Sequence, residues 1–309
     1  MRGLGRIDKK LLLVDGHSIL NRGFYAIPSL TNGEGVFTNA VFGFLNVFVK
    51  LFEEEKPEYV IVAFDVPKKT FRHEQYAPYK GTRKPMPDEL RPQVPLLKHV
   101  LAKMGIHTAE CPGFEADDVI GTLAAQAKTK GIETVILSGD RDLLQLAGER
   151  TTVRIPKSKA GKTEIENYKA SDVLERYGVT PREYIDVKAL MGDASDNIPG
   201  VPGIGEVTAT KIVAAFGSVE NAIERANEIK PAKAADSIVS NAELAILSKR
   251  LATISLDAPV EFSESESAVC DMWNESARDE FVRLEFKSFL SKFSKTTAAH
   301  VKNDYRLIV

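Results

Sequence analysis

The chain has 309 residues, 43% hydrophobic and 27% charged, a composition typical of a soluble globular protein with one large domain or two modest ones. No apolar run approaches the roughly 18–20 residues that cross a membrane, and the run at residues 11–14 is too short for a signal peptide. The two cysteines, Cys111 and Cys270, lack the spacing of a zinc site, and we expect two buried thiols in a reducing cytoplasm.

The net charge of −2 hides an uneven distribution of basic residues. Between Val66 and Lys103 the acids are only Glu74, Asp88 and Glu89. The basic residues of the same segment are Lys68, Lys69, Arg72, Lys80, Arg83, Lys84, Arg91, Lys98 and Lys103. Local charge therefore says more about the partners of this chain than its net charge does.

Four apolar runs rich in β-branched residues predict buried strands. They are residues 11–14, 59–64, 134–137 and the weaker 151–155. Apolar residues at helical spacing predict helices between them, over residues 39–54 and 116–128. Continuous apolar strands that alternate with helices favour an α/β fold, in which helices cover both faces of a mostly parallel sheet.

From about Ser171 onward the pattern becomes entirely helical. Helices are predicted over residues 172–177, 181–191, 207–216, about 232–254 and about 276–293. Pro181 suits the first turn of its helix. We therefore predict an α/β domain over residues 8–168 and a helical domain over residues 169–293.

Acidic residues follow three of the predicted strands. These are Asp15, Asp65 and the pair Asp140 and Asp142. Because the carboxyl ends of parallel strands share one edge of a sheet, we expect the side chains to converge there. There are two further groups of acids. The first opens the helix before the third strand and consists of Glu115, Asp117 and Asp118; the second consists of Asp193 and Asp196.

Several carboxylates in one cleft repel each other unless cations compensate their charge. An all-oxygen ligand set suits Mg²⁺ or Mn²⁺. Two such ions about 4 Å apart can activate water and stabilise the leaving oxygen of a phosphodiester. Taken singly, an acid at a helix start is often only a cap, and an aspartate after a strand is often a turn residue. The repetition at three strand ends favours a metal site.

Residues 66–95 form an unusually long segment rich in proline and basic residues, interleaved with Phe71, Tyr76 and Tyr79. A segment of this length inside a compact domain is normally functional or disordered. Cations bind phosphates and aromatic rings stack on unpaired bases, so the segment is a candidate for single-stranded nucleic acid. It leaves directly from Asp65 and should overhang the acidic edge; a solvated charge run is the alternative.

Residues 200–205, Gly-Val-Pro-Gly-Ile-Gly, lie between two predicted helices. Glycines allow a sharp turn and a close approach of the backbone to a phosphate. Such a hairpin can hold the backbone of a duplex without reading its sequence, although an ordinary turn between helices is the alternative. The candidate DNA-binding residues are Gly200, Gly203, Ile204, Gly205, Thr208 and Lys211.

Together these motifs resemble the 5′ nuclease domain of bacterial DNA polymerases I, within the flap endonuclease family. The matching stretches are residues 13–16, 64–65, 71–74, 79–81, 113–118, 139–142 and 191–200. The resemblance runs from about Leu11 to Phe293. It implies a PIN-like core, a helical arch formed by the basic segment, and a C-terminal helix–hairpin–helix domain.

The resemblance also assigns residues to roles. It places Asp15, Asp65, Glu115 and Asp117 around a first metal, and Asp118, Asp140, Asp142, Asp193 and Asp196 at a second site or in its water shell. Lys80 and Arg83 would stabilise the scissile phosphate, Tyr79 would stack near the reacting nucleotide, and Arg72 belongs to the same catalytic set. Carbonyls of the hairpin around Val201 and Ile204 would hold K⁺.

The implied activity is hydrolysis of DNA by two Mg²⁺ or Mn²⁺ ions at 5′ flaps, nicks and branched ends, by a cytoplasmic, nucleoid-associated monomer without a membrane partner. The family's polymerases are much longer than this chain. Residues 294–309 read as a linker and the beginning of a strand, which predicts a fragment joined to polymerase domains, with a stand-alone nuclease as the alternative.

Three other functions compete with this interpretation. A catalytically silent DNA-binding module would have lost acids, and none of the acidic positions is lost. A PIN-class ribonuclease acting on single strands would lack the glycine hairpin and the helical domain. A Mg²⁺ phosphatase would need a second aspartate two residues after the first strand-end aspartate, where Asp15 is followed by Gly16 and His17.

Overall fold

The computed structural model describes residues 9–159 and 162–293, so the predicted linker at residues 294–309 lies outside the described residues. The strands are β1 (Lys10–Asp15), β2 (Tyr59–Ala63), β3 (His107–Ala109), β4 (Glu133–Leu137), β5 (Thr151–Lys159) and β6 (Lys162–Tyr168). The helices of the first half are α1 (Gly16–Ala26), α2 (Asn39–Glu55), α3 (Phe71–Gln75), α4 (Gln93–Lys103) and α5 (Ala116–Thr129).

The second half of the described chain is helical. Its helices are α6 (Ala170–Tyr177), α7 (Pro181–Met191), α8 (Glu206–Phe216), α9 (Val219–Glu224), α10 (Ala232–Ser240), α11 (Ala242–Ala252), α12 (Glu264–Ser267) and α13 (Glu275–Arg283). Short 3₁₀ turns occur at Asp142–Leu146 and Ala226–Glu228. The predicted α/β class with a helical C-terminal half is confirmed.

The sheet has the strand order β3-β2-β1-β4-β5-β6 and is parallel except for β6, which pairs antiparallel with β5. The chain moves outward from β1 in one direction to β2 and β3, and then returns to place β4 on the other side of β1. In doubly wound sheets, ligands bind outside the carboxyl ends of the strands at such a reversal point. Asp15 ends β1, so it lies at this point of the sheet.

Alternate residues of the central strands face opposite sides of the sheet, and both sides are covered. Leu11 and Leu13 belong to an apolar cluster that includes α5 and most of the C-terminal helices. Leu12 and Val14 belong to a second cluster with α1, α2 and α4. Because strands buried on both faces need apolar residues at every position, the continuous apolar runs in the sequence have a direct structural cause.

The helical half packs directly on the sheet. Val213 of α8 and Val173 of α6 lie in the same buried cluster as Leu11 and Ile61 of the central strands. Helix α7 also contacts the 3₁₀ turn that follows β4. The two halves therefore share one apolar interior on this side of the sheet.

The last described residues return to the other side of the sheet. Phe281 of α13, together with Phe286 and Phe289, packs in the cluster that contains α1, α2 and α4. Phe42 of α2 contacts the rings of Phe286 and Phe289 at centroid distances of 5.4 and 5.6 Å. Residues that the sequence pattern places in the helical domain thus belong by packing to the α/β half.

Other features differ from the sequence predictions. The helix predicted over residues 232–254 is two helices separated at Asn241. Residues 66–92 contain α3 as their one regular element and otherwise form turns and extended chain. Cys111 is buried, but Cys270 is exposed, so the prediction of two buried thiols is wrong for Cys270. Within the described residues, no helix is both long and apolar enough to cross a membrane.

We expect Phe281→Ala to lower the free energy of unfolding by about 3–5 kcal/mol, because the side chain is 0% exposed and its removal leaves a cavity among aromatic rings. The measurement is denaturant unfolding. The neighbouring Val282 is 49% exposed, and Val282→Ala should change stability by less than about 0.5 kcal/mol. Equal effects of the two substitutions would contradict the assignment of α13 to the core.

Candidate metal centre

An open cleft of about 830 Å³ lies at the carboxyl edge of the sheet. The structure brings together in its wall five of the acids identified from the sequence: Asp15, Asp65, Glu115, Asp117 and Asp140. The basic segment forms a second wall, with Lys80, Thr82, Arg83 and Lys84. Residues of α1, including Arg22 and Tyr25, form a third.

Two serines fix the carboxylates that follow the adjacent strands β1 and β4. The Ser138 hydroxyl donates to Asp15 Oδ2 at 2.8 Å and accepts the Asp140 N–H at 3.0 Å. Ser18 donates its N–H to Asp15 Oδ1 at 3.0 Å, and its hydroxyl accepts the Gly139 N–H at 2.9 Å. The ends of two neighbouring strands are therefore held in one hydrogen-bonded unit.

Asp65 connects the end of β2 to the start of α5. Its Oδ1 accepts the backbone N–H of Ala116 at 2.8 Å, in the first turn of the helix that also carries Glu115 and Asp117. The backbone N–H of Asp65 donates to His17 Nδ1 at 3.1 Å. A helix N-terminus favours negative charge, which helps to hold the acids at this end of α5.

Burial and crowding raise the pKa of the innermost acids. The pKa of Asp15 rises to about 7, mainly because the group is buried and further because Asp65 and Asp140 are negatively charged. Burial, followed by the charges of Asp15, Asp140 and Asp65, holds the pKa of Asp117 well above its usual range. The surroundings of Asp15 and Asp117 therefore disfavour the ionised form of these carboxylates.

Lys188 of α7 neutralises two of the outer acids. Its Nζ lies 2.7 Å from Asp142 Oδ1 and 2.5 Å from Asp193 Oδ2. Burial acts to raise the pKa of Asp193, but the hydrogen bond and charge of Lys188 lower it to about 2. Burial and the charge of Asp140 raise the pKa of Asp142 to about 6 despite the same lysine. In this structure these two acids have a lysine as their counter-ion.

A second set of cations surrounds Asp196. Arg83 donates to Asp196 Oδ1, and Lys80 lies 2.8 Å from Glu115 Oε1 and 3.8 Å from Asp196 Oδ2. The backbone N–H of Lys80 also donates to the Asp196 carbonyl at 2.8 Å. The basic segment is thereby fastened to the loop that follows α7.

Tyr79 does not face the cleft in this structure. The side chain is 3% exposed, and its hydroxyl lies 3.1 Å from both Glu115 Oε2 and Asp196 Oδ2. The ring is packed with Ile198 and Leu251, so it has no free face for a nucleobase. Here Tyr79 instead links α5 to the loop after α7, which differs from the stacking role implied by the resemblance.

Arg72 and Asp118 form a buried ion pair away from the cleft wall. Two guanidinium nitrogens of Arg72 donate to the carboxylate of Asp118 at 2.7 and 2.8 Å. Asp118 also accepts the N–H groups of Glu115 and Ser255, at 3.0 and 2.8 Å. Four donors occupy the acceptor positions of this carboxylate. The pair therefore positions Glu115, and the metal role predicted for Asp118 and the catalytic role predicted for Arg72 do not match this geometry.

The remaining acids fit a divalent cation by their chemistry. The donors at the cleft are carboxylate oxygens, which Mg²⁺ and Mn²⁺ prefer. Among the described residues, no three acidic, histidine or cysteine side chains already converge closely enough to hold an ion by themselves. The acids line a cleft and do not form a closed cage, an arrangement that suits Mg²⁺ because it usually keeps several of its waters.

The glycine hairpin follows α7 and leads into α8. Gly192 and Gly200 both have positive φ, and a Cβ on Gly200 would lie 2.3 Å from the Gly192 nitrogen, so neither position accepts a side chain. Gly203 and Gly205 have open space on the side where a Cβ would stand. The backbone at Gly203 and Gly205 is therefore accessible next to the N-terminus of α8.

The other hairpin residues predicted to bind ligands have different surroundings. The side chains of Val201 and Ile204 are buried in the core, and the Val201 carbonyl accepts the Ile204 N–H at 3.1 Å. Thr208 and Lys211 lie on α8 beside a separate hollow of about 430 Å³ that also includes Arg225. No K⁺ coordination follows from these contacts alone.

Sequence reasoning missed four residues that organise the site: His17, Ser18, Ser138 and Lys188. Three of them stand two or three residues from a predicted acid in the same motif, a spacing at which a hydroxyl or ring commonly supports a neighbouring group. Lys188 precedes Asp193 by five residues, across a helix end, and only the fold brings it next to Asp142.

Comparison with known families gives two matches that together cover most of the chain. Residues 10–178 match the family described as 5′-3′ exonuclease, N-terminal resolvase-like domain. Residues 179–275 match the family described as 5′-3′ exonuclease, C-terminal SAM fold.

Among curated proteins, DNA polymerase I of Bacillus caldotenax is 47% identical over 296 residues, which is 96% of this chain and 34% of that protein. DNA polymerase I of Bacillus subtilis (strain 168) is 44% identical over 290 residues, or 94% of this chain and 33% of that protein. The chain thus spans about a third of the length of these relatives.

Among solved structures, the T5 D15 protein co-crystallised with metal ions superimposes with a TM-score of 0.64 at 23% identity. The match covers 93% of this chain and 98% of that one, and at this level of identity it establishes the shared fold.

The raised pKa of Asp15 predicts a pH dependence of stability without divalent metal. Because the folded-state pKa of about 7 exceeds the ordinary 3.8, the contribution of Asp15 is fully present below about pH 4 and is lost as the pH rises through 7. Relative to wild type, Asp15→Asn should therefore gain stability, by a few kcal/mol at most, between pH 4 and pH 8.

Urea unfolding in EDTA at several pH values measures this difference. The control is the same series with Mg²⁺, where a cation bound in the cleft would compensate the charge of Asp15 and the difference should shrink. A difference between the two proteins that stays constant with pH in EDTA would contradict the prediction.

Proposed function

The chain belongs to the 5′-3′ exonuclease family, and from that premise we propose that it hydrolyses DNA phosphodiesters at 5′ flaps, nicks and branched ends with divalent cations. Family membership confirms the resemblance identified from the sequence motifs. The observation that carries the proposal is the convergence of five carboxylates in one cleft beside the cations of the basic segment.

The charges of the cleft support phosphodiester chemistry. Divalent cations held by Asp15, Asp65, Glu115, Asp117 and Asp140 would supply a water of lowered pKa and stabilise the leaving oxygen. With Mg²⁺ or Mn²⁺ as the cofactor, no side chain has to act as the general base. Relatives in fold agree with this proposal, since one is described as co-crystallised with metal ions.

The basic wall would orient the scissile phosphate. Lys80 and Arg83 are already held beside the acids by Glu115 and Asp196, so their side chains need little rearrangement to meet an incoming phosphate. Charged donors fixed in a protein site stabilise developing charge better than mobile water does. The two residues would thus bind the cut strand and stabilise its transition state.

The glycine hairpin would hold the duplex next to the cleft. Gly203 and Gly205 leave the backbone open at the start of α8, where N–H groups favour phosphate. Contacts of this kind fix the position of DNA and carry no sequence information. Thr208 and Lys211 would extend the contact, and K⁺ at the carbonyls around Val201 and Ile204 would strengthen it.

The same proposal extends to the biological setting. Removal of primers and repair of DNA require cutting at flaps and nicks, which fits a nuclease that recognises structure and not sequence. We expect a monomer that acts on DNA in the bacterial cytoplasm, joined to polymerase domains as in its longer relatives. The domain limits proposed are residues 8–168 and 169–293, with the last part of the second segment, around Phe281, packed back against the first domain.

One gel tests the activity directly. A 5′-flap substrate should be cut in Mg²⁺ and left intact in EDTA, whereas a blunt duplex and a free single strand should be cut much more slowly. Equal cutting of all three substrates would argue against recognition of branched structure. Cutting that persists in EDTA would argue against the metal.

We expect Asp140→Asn and Asp65→Ala to abolish cutting while largely retaining DNA binding. Each change removes a carboxylate from the cleft wall and leaves the hairpin unaltered. The measurements are flap cleavage in Mg²⁺ and DNA affinity in Ca²⁺, which supports binding without efficient hydrolysis. Cleavage at a rate near that of the wild type by either variant would refute the proposed metal centre.

Lys80→Ala should slow the single-turnover rate by about 10²-fold or more, because a fixed donor to the reacting phosphate is lost. DNA affinity in Ca²⁺ should change much less than the rate. Lys84 also lines the cleft and provides a matched cation, so Lys84→Ala should weaken affinity with little effect on the single-turnover rate. A pure loss of affinity in Lys80→Ala would remove Lys80 from the catalytic set.

A further inference from the structure

Tyr25 presents an aromatic ring at the cleft that holds the acids. Its side chain is 73% exposed and contributes to the cleft wall together with Asp15 and Asp117. Among the described residues that line this cleft, it is the only phenylalanine, tyrosine or tryptophan. Tyr79, the aromatic residue expected from the sequence to stack, is 3% exposed and packed in the interior.

Helix α1 sets the distance between this ring and the acids. Ser18, Arg22 and Tyr25 are spaced by four and three residues, so they lie along one face of the helix. Ser18 contacts Asp15 at the start of that face. With a rise of about 1.5 Å per residue, Tyr25 lies about 10 Å further along the axis, within a few nucleotides of a phosphate held at the acids.

The ring is supported from behind. Phe24 packs edge-to-face with Tyr25 at a centroid distance of 5.1 Å, and Phe24 itself packs against the buried cluster around α2. A supported but exposed ring loses little conformational freedom when a flat ligand covers it. Single exposed aromatics are common on protein surfaces, and what distinguishes Tyr25 is its place in the wall of the cleft.

The polar and cationic groups that line the cleft would orient a DNA strand. Thr82, Arg83 and Lys84 contribute hydroxyl and cationic groups to the wall of the same cleft. A strand whose phosphates contact these groups turns its bases away from them, which leaves the bases free to stack on a ring such as Tyr25 in the same cleft. Stacking on an aromatic ring accepts any base, as a nuclease without sequence preference requires.

We propose that Tyr25 is a nucleobase-binding residue, on which a base of the cut strand stacks within a few nucleotides of the scissile phosphate. This inference rests on the proposed function and adds the recognition of the strand to it. The ring takes no part in the chemical step; it fixes the path of the strand so that the phosphate meets the acids.

Two substitutions of Tyr25 distinguish the effect of the aromatic ring from the effect of side-chain size. Tyr25→Phe keeps the ring and should retain kcat/KM for a 5′-flap substrate within about twofold, whereas Tyr25→Leu keeps an apolar side chain without a ring and should lower it about 5- to 100-fold. Affinity for the same DNA in Ca²⁺, followed by fluorescence anisotropy, should fall in Tyr25→Leu as well. Because Tyr25 is largely exposed, the thermal unfolding midpoint should not change.

Removing the base from the DNA provides the matching test on the substrate side. A series of flap substrates carries one abasic site at each of the three nucleotides on either side of the cut. At one position, the wild type should lose as much affinity and kcat/KM as Tyr25→Leu loses on intact DNA. On that substrate the substitution should have no further effect, since the partner of the ring is already absent.

The inference is overturned if Tyr25→Leu binds and cuts like the wild type, or if its loss persists unchanged at every abasic position. If instead the proposed nuclease function is wrong, the experiments give a result that can be distinguished from these outcomes. In that case the wild type would bind flap DNA and not cut it, and the abasic series in Ca²⁺ would still decide whether Tyr25 stacks on a base.

Discussion

Mutual repulsion among carboxylates at the reversal point of the sheet is the constraint on which the site depends. Asp15 is buried and Asp117 is half-buried, both beside Asp65 and Asp140, and desolvation together with these neighbouring charges raises their pKa values. The fold compensates this repulsion in two ways. Serine and backbone donors hold the inner acids, and lysine or arginine side chains neutralise the outer ones. Asp15 and Asp117 are therefore the acids whose negative charge a bound cation would stabilise most.

Much of the fold can be predicted because the central strands are buried on both faces. β1, β2 and β4 are continuous apolar runs, and each was predicted to within one or two residues. β3 and β6 were missed because they lie at the edges of the sheet, where partly exposed residues leave no apolar run. Helix α1 was missed because Gly23 interrupts its pattern; Gly23 is needed where α1 crosses Gly43 of α2.

The positions of the acids could be predicted better than their partners. Acids at strand ends converge because of sheet topology alone, which a pattern of strands already implies. The ion pair of Arg72 with Asp118 and the burial of Tyr79 depend on α11 and on the loop after α7. Those segments are more than 100 residues away in sequence, so no local spacing could indicate them. The sequence motifs therefore identified the residues of the site, but not the side chains with which those residues form ion pairs and contacts.

Residues near both ends of the described chain form ion pairs with the C-terminal end of helix α2. Lys10 at the start of β1 is paired with Glu55, and Lys292 is paired with Glu53, both near the C-terminus of α2. This end of α2 lies at the amino edge of the sheet, at the pole opposite the cleft. A partner attached directly at either end of the described residues would leave from that pole, so the cleft proposed to receive DNA would stay unobstructed.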